Sequence, residues 1–305
     1  MAVIGLGKVG MEYGFDSKRK QPASHISAIL ENKELRLISV CEIDKNLCKK
    51  FNEKYGNSIK IFNEHLKFLN YVKNGKIDCD IITIATPENT HKEIILDILN
   101  YLENIRKPLI IFCEKPLVED LASTKKIKEY LKNDLIQIVV NHSRRWSNTW
   151  QEAYNLKDKI GKIQKATIYF STSPENKQIL QIRDGIHIAD FLSWFKIENI
   201  TEINRLKTDY FIYDFYIWGK TGKIEILDFG EKLNFYKMKK SNRFEEFNDL
   251  ELIFSKNIEE SMIKNAYSEF VNYFNGGKLS TNIDDGINAL RVFEKYVYDK
   301  KISNK

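Results

Sequence analysis

The stretch Ala2-Val3-Ile4-Gly5-Leu6-Gly7-Lys8-Val9-Gly10 decides the fold of this chain. Three apolar residues suited to a buried strand lead directly into the pattern GxGxxG. Glycines at this spacing let the backbone approach a pyrophosphate at the amino end of a helix. The pattern alone is weak, so its meaning depends on the rest of the chain.

Up to about Val140, short apolar segments alternate with helical patterns. Strands are predicted at 2–4, 35–41, 59–62, 80–85, 109–113 and 136–140, and helices at 24–32, 47–55, 64–74, 90–104 and 123–132. Strands this apolar, separated by helices, predict a parallel sheet covered on both faces. We therefore expect residues 1–141 to form an α/β domain, a doubly wound Rossmann sheet that binds a nucleotide.

The pattern changes after that point, and residues 142–305 are predicted to form an α+β domain on a mainly antiparallel open sheet. Helices are expected at 150–156, 186–195, 261–274 and 283–298, and strands at 163–170, 208–218, 223–229 and 233–239. Gly219-Lys220-Thr221-Gly222 is typical of a hairpin turn.

The run 210–218 is apolar on both of its alternating faces. One face can pack on helices of its own domain, and the other must also be covered, because large exposed aromatic patches usually mark interfaces. We expect a second subunit to cover it; a loop or helix of the same chain is the alternative.

Composition excludes several classes of protein. The chain has 305 residues with 43% hydrophobic and 30% charged residues, and its formal charge of +6 comes from lysines that alternate with acidic residues. That distribution favours a solvated surface over a nucleic-acid site. No apolar run approaches the roughly 18 residues of a membrane span, and the amino terminus lacks signal-peptide features, so a cytoplasmic protein is expected. The four cysteines form no CxxC pair or zinc spacing, so we expect neither a disulfide nor a metal site.

An acidic residue ends the second predicted strand, at Glu42. A carboxylate there accepts hydrogen bonds from ribose hydroxyls and repels a 2′-phosphate, so NAD is favoured over NADP. Gly10 and Glu42 are 32 positions apart, against the usual value of about 20. The polar stretch 12–22 is therefore interpreted as an insertion between the glycine loop and the helix near Ser24.

Two further loops come directly after core strands. Thr86-Pro87-Glu88-Asn89-Thr90-His91 comes after the fourth strand and should border the cofactor; His91 is either a cofactor contact or a polar residue of the first helical turn. Glu114-Lys115-Pro116 comes after the fifth strand, which Pro116 should end. A lysine and a carboxylate then lie at the sheet edge where ligands bind, although an ordinary surface Glu–Lys pair would look the same.

Together these segments resemble the Gfo/Idh/MocA family of oxidoreductases over nearly the whole chain. The residues that carry the resemblance are 5–10, Cys41-Glu42, Ile84-Ala85-Thr86-Pro87 with His91, 113–117, Asn141-His142-Ser143-Arg144-Arg145-Trp146 and 184–190. The family implies hydride transfer between NAD and a secondary alcohol of a sugar, sugar derivative or nucleotide sugar. The form Asp184-Gly185-Ile186-His187 and the insertion look like members from surface-polysaccharide or nucleotide-sugar metabolism.

The resemblance also implies roles for individual residues. Lys115 and His187 match the family's catalytic lysine and histidine, with His187 the leading general acid/base on a helix that faces the cleft. The cofactor-binding residues would be Gly5, Gly7, Lys8, Val9, Gly10, Glu42, Thr86, Pro87, Asn89, His91, Glu114 and Lys115. The substrate-binding residues would be Lys115, Asn141, Arg145, Asp184 and His187.

One departure from the family concerns the position four residues before the histidine. Many members carry aspartate there, whereas this chain has Arg183, with Asp184 one step later. One residue is about 100° of rotation on a helix, so a lysine–aspartate–histidine triad is not assured. Arg183, Arg144 and Arg145 are candidate contacts for an anion or a sugar hydroxyl. The adjacent pair Arg144 and Arg145 could equally pair with carboxylates of the protein.

We expect a homodimer or homotetramer formed through the carboxy-terminal sheet, and neither a nucleic-acid nor a membrane partner. Two other functions stay open from the sequence. One is an NAD-binding sensor or scaffold without turnover, against which the presence of both Lys115 and His187 argues. The other is an enzyme that uses NAD transiently without net redox change.

Overall fold

The structure of the protein, a computed structural model, describes residues 1–171, 182–197 and 201–298, without the side chains of 182–184 and 296–298. The chain falls into two compact units. The first unit contains Met1–Trp146 and Ser261–Leu290, and the second contains Ser147–Glu260 and the residues from Arg291 onward. The sequence predicts one division at 141/142, whereas in the structure the chain leaves the first unit at Trp146 and later returns to it.

The first unit is built on a parallel sheet of six strands in the order β3-β2-β1-β4-β5-β6, which confirms the predicted Rossmann sheet. The strands are β1 Ala2–Ile4, β2 Ser39–Cys41, β3 Lys60–Phe62, β4 Ile81–Ile84, β5 Leu109–Cys113 and β6 Ile136–Val140. Strands β1, β2, β4 and β5 are buried along their whole length, as expected for a sheet covered on both faces. Only the last three residues of the predicted strand 35–41 pair in the sheet.

The helices of the first unit are α1 His25–Glu31, α2 Lys45–Tyr55, α3 His65–Lys73, α4 Glu88–Tyr101, α5 Leu121–Tyr130, α8 Met262–Phe274 and α9 Ile283–Val292. Helix α8 packs its aromatic residues on the sheet, with the ring of Phe270 4.8 Å from that of Phe112 on β5. Burial of such rings stabilises the packing of the helix on this sheet. The predicted helix 283–298 is α-helical only to Val292, and a π-helix covers Phe293–Tyr298.

The insertion after the glycine loop interrupts a helix. Backbone N–H groups of Met11 and Tyr13 bond the carbonyls of Gly7 and Lys8, as in a helical turn, and a 3-10 turn follows at Glu12–Phe15. The N–H groups of His25 and Ile26 then bond the carbonyls of Val9 and Gly10, each at 3.0 Å. Helix α1 therefore continues the hydrogen bonding that the insertion broke, and a capping box between Ser24 and Ser27 closes its start.

The second unit is built on a mixed, mostly antiparallel sheet in the order β12-β11-β10-β9-β7-β8, as predicted for its class. Its strands are β7 Ile163–Ser171, β8 Thr201–Leu206, β9 Tyr213–Gly219, β10 Gly222–Leu227, β11 Lys232–Lys240 and β12 Asn248–Asn257, and its helices are α6 Asn148–Leu156 and α7 Ile182–Phe195. The predicted hairpin is present, with Gly219 opposite Gly222. Strand β8 runs parallel to β7 and is the exception to antiparallel pairing.

Three details of this sheet differ from the sequence prediction. Strand β9 begins at Tyr213, so the first part of the predicted strand 208–218 lies outside it. Strands β8 and β12 were not predicted. Strand β12 is exposed along most of its length at the sheet edge, although Leu250, Leu252 and Phe254 alternate along it.

The aromatic run packs one face as predicted. Tyr213, Phe215 and Ile217 are buried, and the ring of Phe215 lies 4.8 Å from Trp150 on α6 and 4.7 Å from Phe191 on α7. None of the helices in the described ranges combines the length and apolar character needed to cross a bilayer.

Candidate active site

The predicted site residues of the first unit meet at the carboxyl edge of its sheet. The residue after each of four strands donates its N–H to the last carbonyl of the neighbouring strand: Gly5 to Cys41, Ala85 to Ile4, Glu114 to Ile84 and Asn141 to Cys113, at 2.7–2.9 Å. The parallel register thus aligns the glycine loop, the Thr86 loop, Glu114 and Asn141 in one row. Ligands of open α/β sheets bind at this edge, at the point where strand order reverses.

The glycines of the loop have different structural roles. Gly5 has φ of +97°, and a Cβ there would lie 2.7 Å from the backbone of Ala85. A Cβ on Gly10 would lie 2.2 Å from the carbonyl oxygen of Gly5, whereas nothing lies within 4 Å of a Cβ on Gly7. Gly5 and Gly10 are therefore required for the turn itself, and Gly7 leaves space where a ligand can approach the backbone. One helical turn, rather than a full α-helix, comes after the loop.

Glu42 lies beside this loop, at the end of β2. Its Oε2 accepts the N–H of Leu6 at 2.7 Å and its Oε1 accepts the N–H of Asp44 at 2.8 Å. These two bonds hold the carboxylate against the glycine turn. They form although the insertion lengthens the chain between the glycine turn and Glu42. In folds of this kind, an acidic residue at the end of the second strand accepts hydrogen bonds from the ribose of a dinucleotide, and Glu42 is at that position.

A cavity of about 790 Å³ lies between the glycine loop and the loop after β4. Six of the predicted cofactor residues line it, namely Gly5, Gly7, Glu42, Thr86, Pro87 and Asn89. Open backbone at Gly7 and a fixed carboxylate at Glu42 fit an NAD-type dinucleotide. Lys8, Val9, Gly10, His91, Glu114 and Lys115 are not part of its lining.

His91 is buried and joins two loops. Its Nδ1 lies 2.9 Å from the carbonyl oxygen of Pro116, and its Nε2 lies 3.0 Å from that of Thr86. Both partners are acceptors, so both contacts are hydrogen bonds only in the doubly protonated ring. Since both ring nitrogens face backbone oxygens, the geometry supports a role in holding the Thr86 and Pro116 loops together.

Glu114 is the centre of a buried polar network. Its Oε1 lies 2.9 Å from His25 Nε2 and 2.5 Å from Asn141 Nδ2, and its Oε2 accepts the N–H of Lys115 at 3.3 Å. His25 Nδ1 in turn lies 2.9 Å from the hydroxyl of Tyr267. The carboxylate is thus joined to α1, to the end of β6 and to α8.

Burial by itself would raise the pKa of the Glu114 carboxyl. The hydrogen bond and charge of His25, the Asn141 amide and the charge of Lys115 outweigh burial, and the pKa is lowered below its ordinary value. Glu114 is therefore an ionised acceptor at neutral pH. Burial raises the pKa of Tyr267, so its hydroxyl stays neutral.

Lys115 is half-buried and comes directly after Glu114 at the end of β5. Asn141 is buried, and its amide is directed at Glu114. Arg145 is also buried, and its Nη1 lies 2.9 Å from Oδ1 of Asp285 on α9. This ion pair agrees with the second of the two roles expected for this arginine, pairing with a carboxylate of the protein.

His187 belongs to the second unit, where it is half-buried on α7. Its neighbours Ile186 and Ile188 are buried in the core of that unit. The side chains of Arg183 and Asp184 lie outside the described residues, so a role for Asp184 in a triad stays a prediction.

The sequence gives no clear indication of His25, Tyr267 and Thr83, which the structure adds to the site. The hydroxyls of Thr83 and Tyr267 lie 2.9 Å apart, which extends the Glu114 network to β4. A histidine at the start of an apolar helix is a weak signal, and Tyr267 is 242 positions from His25. No local pattern connects residues so far apart in the chain.

Solved structures confirm the fold over nearly the whole chain. The myo-inositol 2-dehydrogenase of Lactobacillus plantarum matches with a TM-score of 0.67 at 16% identity, covering 96% of this chain and 94% of that one. The WlbA dehydrogenase of Bordetella pertussis, solved with NADH and UDP-GlcNAcA, matches with 0.69 at 14% identity, covering 98% and 96%. KijD10, a 3-ketoreductase of Actinomadura kijaniata solved with NADP and TDP-benzene, matches with 0.69 at 11% identity, covering 95% and 94%. No curated protein sequence matches the chain significantly.

The glycine loop can be tested by two matched substitutions. Gly7→Ala adds a methyl group that meets nothing in the protein but occupies the approach to the loop. We expect an unchanged free energy of unfolding and at least about tenfold weaker NADH binding, measured by fluorescence titration. Gly10→Ala should lower both stability and binding, because its Cβ meets backbone. Wild-type NADH affinity in Gly7→Ala would contradict the assignment of the turn Gly5–Gly10, the glycine cradle, as the place where the dinucleotide binds.

Glu114 should make stability depend on acid pH. Because its pKa is lower in the folded chain, the stability it contributes is present above its ordinary value of about 4.5 and is lost as pH falls through the folded value. The free energy of unfolding, measured with denaturant between about pH 5 and pH 3, should therefore fall less in Glu114→Gln than in wild type. The exposed Glu53→Gln is the control and should match wild type; equal slopes in all three proteins would refute the prediction.

Residues 1–142 match the sequence model of the Gfo/Idh/MocA oxidoreductases, which describes an NAD-binding Rossmann fold. The match covers the sheet, the glycine cradle, Glu42, and the loops that carry Thr86 and Lys115. The cofactor class is therefore NAD or NADP. Over this amino-terminal region the chain is similar to the Gfo/Idh/MocA family of oxidoreductases.

Proposed function

We propose that the protein is an NAD-dependent oxidoreductase that acts on a secondary alcohol of a sugar, sugar derivative or nucleotide sugar. The observation that carries this proposal is the arrangement at the carboxyl edge of the first sheet. The cradle at Gly7 and the carboxylate of Glu42 accept a dinucleotide, and Lys115 lies after β5, further along the same sheet edge.

Such a cofactor, when bound, accepts or donates the hydride. The work left for the protein is to orient the alcohol and to exchange its proton. Lys115 is suited to that task, because it is half-buried, its ammonium interacts with the charge of the Glu114 carboxylate, and an amine in such a position can exchange a proton with a bound hydroxyl. Glu114, already bonded to His25 and Asn141, serves to hold the backbone of Lys115.

The proposal assigns His187 as the second catalytic residue, on the ground of the family resemblance and its half-buried place on α7. Asn141, Arg145 and Asp184 are proposed to contribute to substrate binding. For Arg145 the support is weakened by its ion pair with Asp285, which gives the guanidinium a structural task as well.

The substrate class rests on the resemblance and on neighbours of the same fold. One neighbour is an inositol dehydrogenase and another was solved with UDP-GlcNAcA. Inositol and the sugar of UDP-GlcNAcA are both rich in hydroxyl groups. A fold alone does not determine a substrate, so the class has to be tested directly.

The proposal includes association of copies of the chain through the second sheet, and activity in the cytoplasm. The side of β9 opposite its core face carries Tyr216 and Trp218, and Trp218 is 37% exposed. The ring of Tyr169 lies 5.8 Å from Tyr216, and Lys223 lies over Trp218. An aromatic sheet face of this kind suits an interface.

Glu42 should select NAD over NADP. A carboxylate at the ribose accepts hydroxyl bonds and repels a 2′-phosphate. In Glu42→Ala we expect NADH to bind at least about tenfold more weakly, since bonds to a charged group contribute about 1.5–3 kcal/mol each, and we expect the preference over NADPH to shrink. Fluorescence titration with both cofactors measures the ratio, with the exposed Glu53→Ala as control. A wild-type protein that prefers NADPH would overturn this assignment.

The function itself is tested by a screen of sugars and nucleotide sugars for NAD reduction, followed by NADH absorbance. With an active substrate, Lys115→Met should lose about 10²–10⁴-fold in turnover while keeping its NADH affinity. His187→Ala should lose turnover in the same way, and the exposed Lys125→Met is the control. Turnover intact in both variants would refute the catalytic assignment.

The same screen separates the alternatives. Substrate consumed without accumulation of NADH would indicate transient use of the cofactor. Cofactor binding without consumption of any substrate would favour a sensor or scaffold. A protein that binds no NAD(H) would contradict every enzyme function considered.

A further inference from the structure

His25 occupies an unusual place for a titratable residue. It is fully buried at the first position of α1, directly after the insertion, and both ring nitrogens are within 2.9 Å of side-chain oxygens. Its ring also meets the edge of Phe112, with centroids 5.3 Å apart. An apolar core tolerates such a group only when its polar atoms are satisfied.

The hydrogen-bond directions around His25 follow from the chemistry of its partners. An ionised carboxylate only accepts, so the Nε2 that faces Glu114 must carry a proton. The titratable groups that the structure places against the ring are Glu114, from the end of β5, and Tyr267, from α8. The Tyr267 hydroxyl can donate to Nδ1 or accept from it, with Thr83 completing the chain on the other side. Either protonation state of the ring therefore keeps a donor on Glu114.

Glu114 in turn has donors on both of its oxygens. His25 and Asn141 occupy Oε1, and the backbone N–H of Lys115 occupies Oε2. Removing His25 would leave a buried carboxylate with fewer donors, and burial would then favour its protonated form. A Glu114 carboxylate that turns toward other donors or takes up a proton presents less negative charge to the lysine next to it in the chain.

We propose that His25 is a positioning residue for Lys115, acting through Glu114. It keeps Glu114 ionised and oriented, so that the carboxylate holds the Lys115 backbone and sets the charge environment of the Lys115 amine. This inference rests on the proposed role of Lys115. Because the N–H groups of His25 and Ile26 resume the hydrogen bonds of the interrupted turn, His25 lies beside Glu114 despite the insertion.

The direct test is the titration of the Lys115 amine, which needs neither substrate nor cofactor. Lysines are reductively methylated with ¹³C-formaldehyde, and the pH dependence of the dimethylamine resonances is measured by NMR, with Lys115→Arg identifying the signal. In His25→Leu we expect the titration midpoint of Lys115 to fall by about one unit, because the carboxylate loses the donor that orients it and interacts less strongly with the ammonium. His25→Gln keeps a donor toward Glu114 and should restore the midpoint to near the wild-type value.

The matched control is Asp97→Asn, which alters another histidine–carboxylate pair of the first unit, His65 with Asp97 at 2.8 Å. It should leave the midpoint unchanged. If His25→Leu does not fold, as judged by circular dichroism, Tyr267→Phe replaces it and should shift the midpoint in the same direction by a smaller amount.

A wild-type midpoint in the folded His25→Leu or Tyr267→Phe variant would overturn the proposal, as would a His25→Gln midpoint equal to that of His25→Leu. The titration results do not depend on whether the proposed enzymatic function is correct. If the methylated proteins show the expected shift pattern but no sugar reduces NAD, the enzyme assignment fails while the His25–Glu114–Lys115 relation stands.

Discussion

A single buried carboxylate, that of Glu114, connects distant parts of the first unit. A charge in an apolar environment is tolerated only with hydrogen-bond donors around it. Its donors come from His25 on α1, from Asn141 after β6 and from the backbone of Lys115. The contact between His25 and Tyr267 adds helix α8 to this hydrogen-bond network, although α8 comes after most of the second unit in the chain.

This requirement explains two features that otherwise look unrelated. The insertion after Gly10 does not displace α1, because the N–H groups of His25 and Ile26 resume the hydrogen bonds of the interrupted turn. Helix α8 returns to the first sheet and packs Phe270 on Phe112, next to the network. The polar network forms only when α1 and α8 place His25 and Tyr267 next to each other. Both rings pack on Phe112, and this aromatic packing stabilises the position of the two helices.

Different strands of the first sheet carry different parts of the candidate site at their carboxyl ends. The turn after β1 and the carboxylate after β2 line the cavity that we propose for the dinucleotide, whereas Lys115 and Asn141 follow the ends of β5 and β6. Parallel register makes this possible, because it brings strand ends that are far apart in sequence into one row. The second unit supplies a different surface, a sheet with one face packed on α6 and α7, and proteins of one fold can act on different substrates.

The sequence by itself determined the first sheet, the glycine cradle and the position of Glu42, because each depends on residues close together in the chain: apolar runs, glycine spacing and an acid at a strand end. It also indicated Lys115 by the proline that ends β5. The polar strand β8 was not predicted, since its sequence has little apolar periodicity, and β12 was missed although Leu250, Leu252 and Phe254 alternate along it. Only the tertiary structure showed that His91 joins two loops, that Arg145 pairs with Asp285, and that His25 and Tyr267 support Glu114. Those contacts join residues up to 242 positions apart, and such partners are selected by packing and burial in the folded chain rather than by any local pattern.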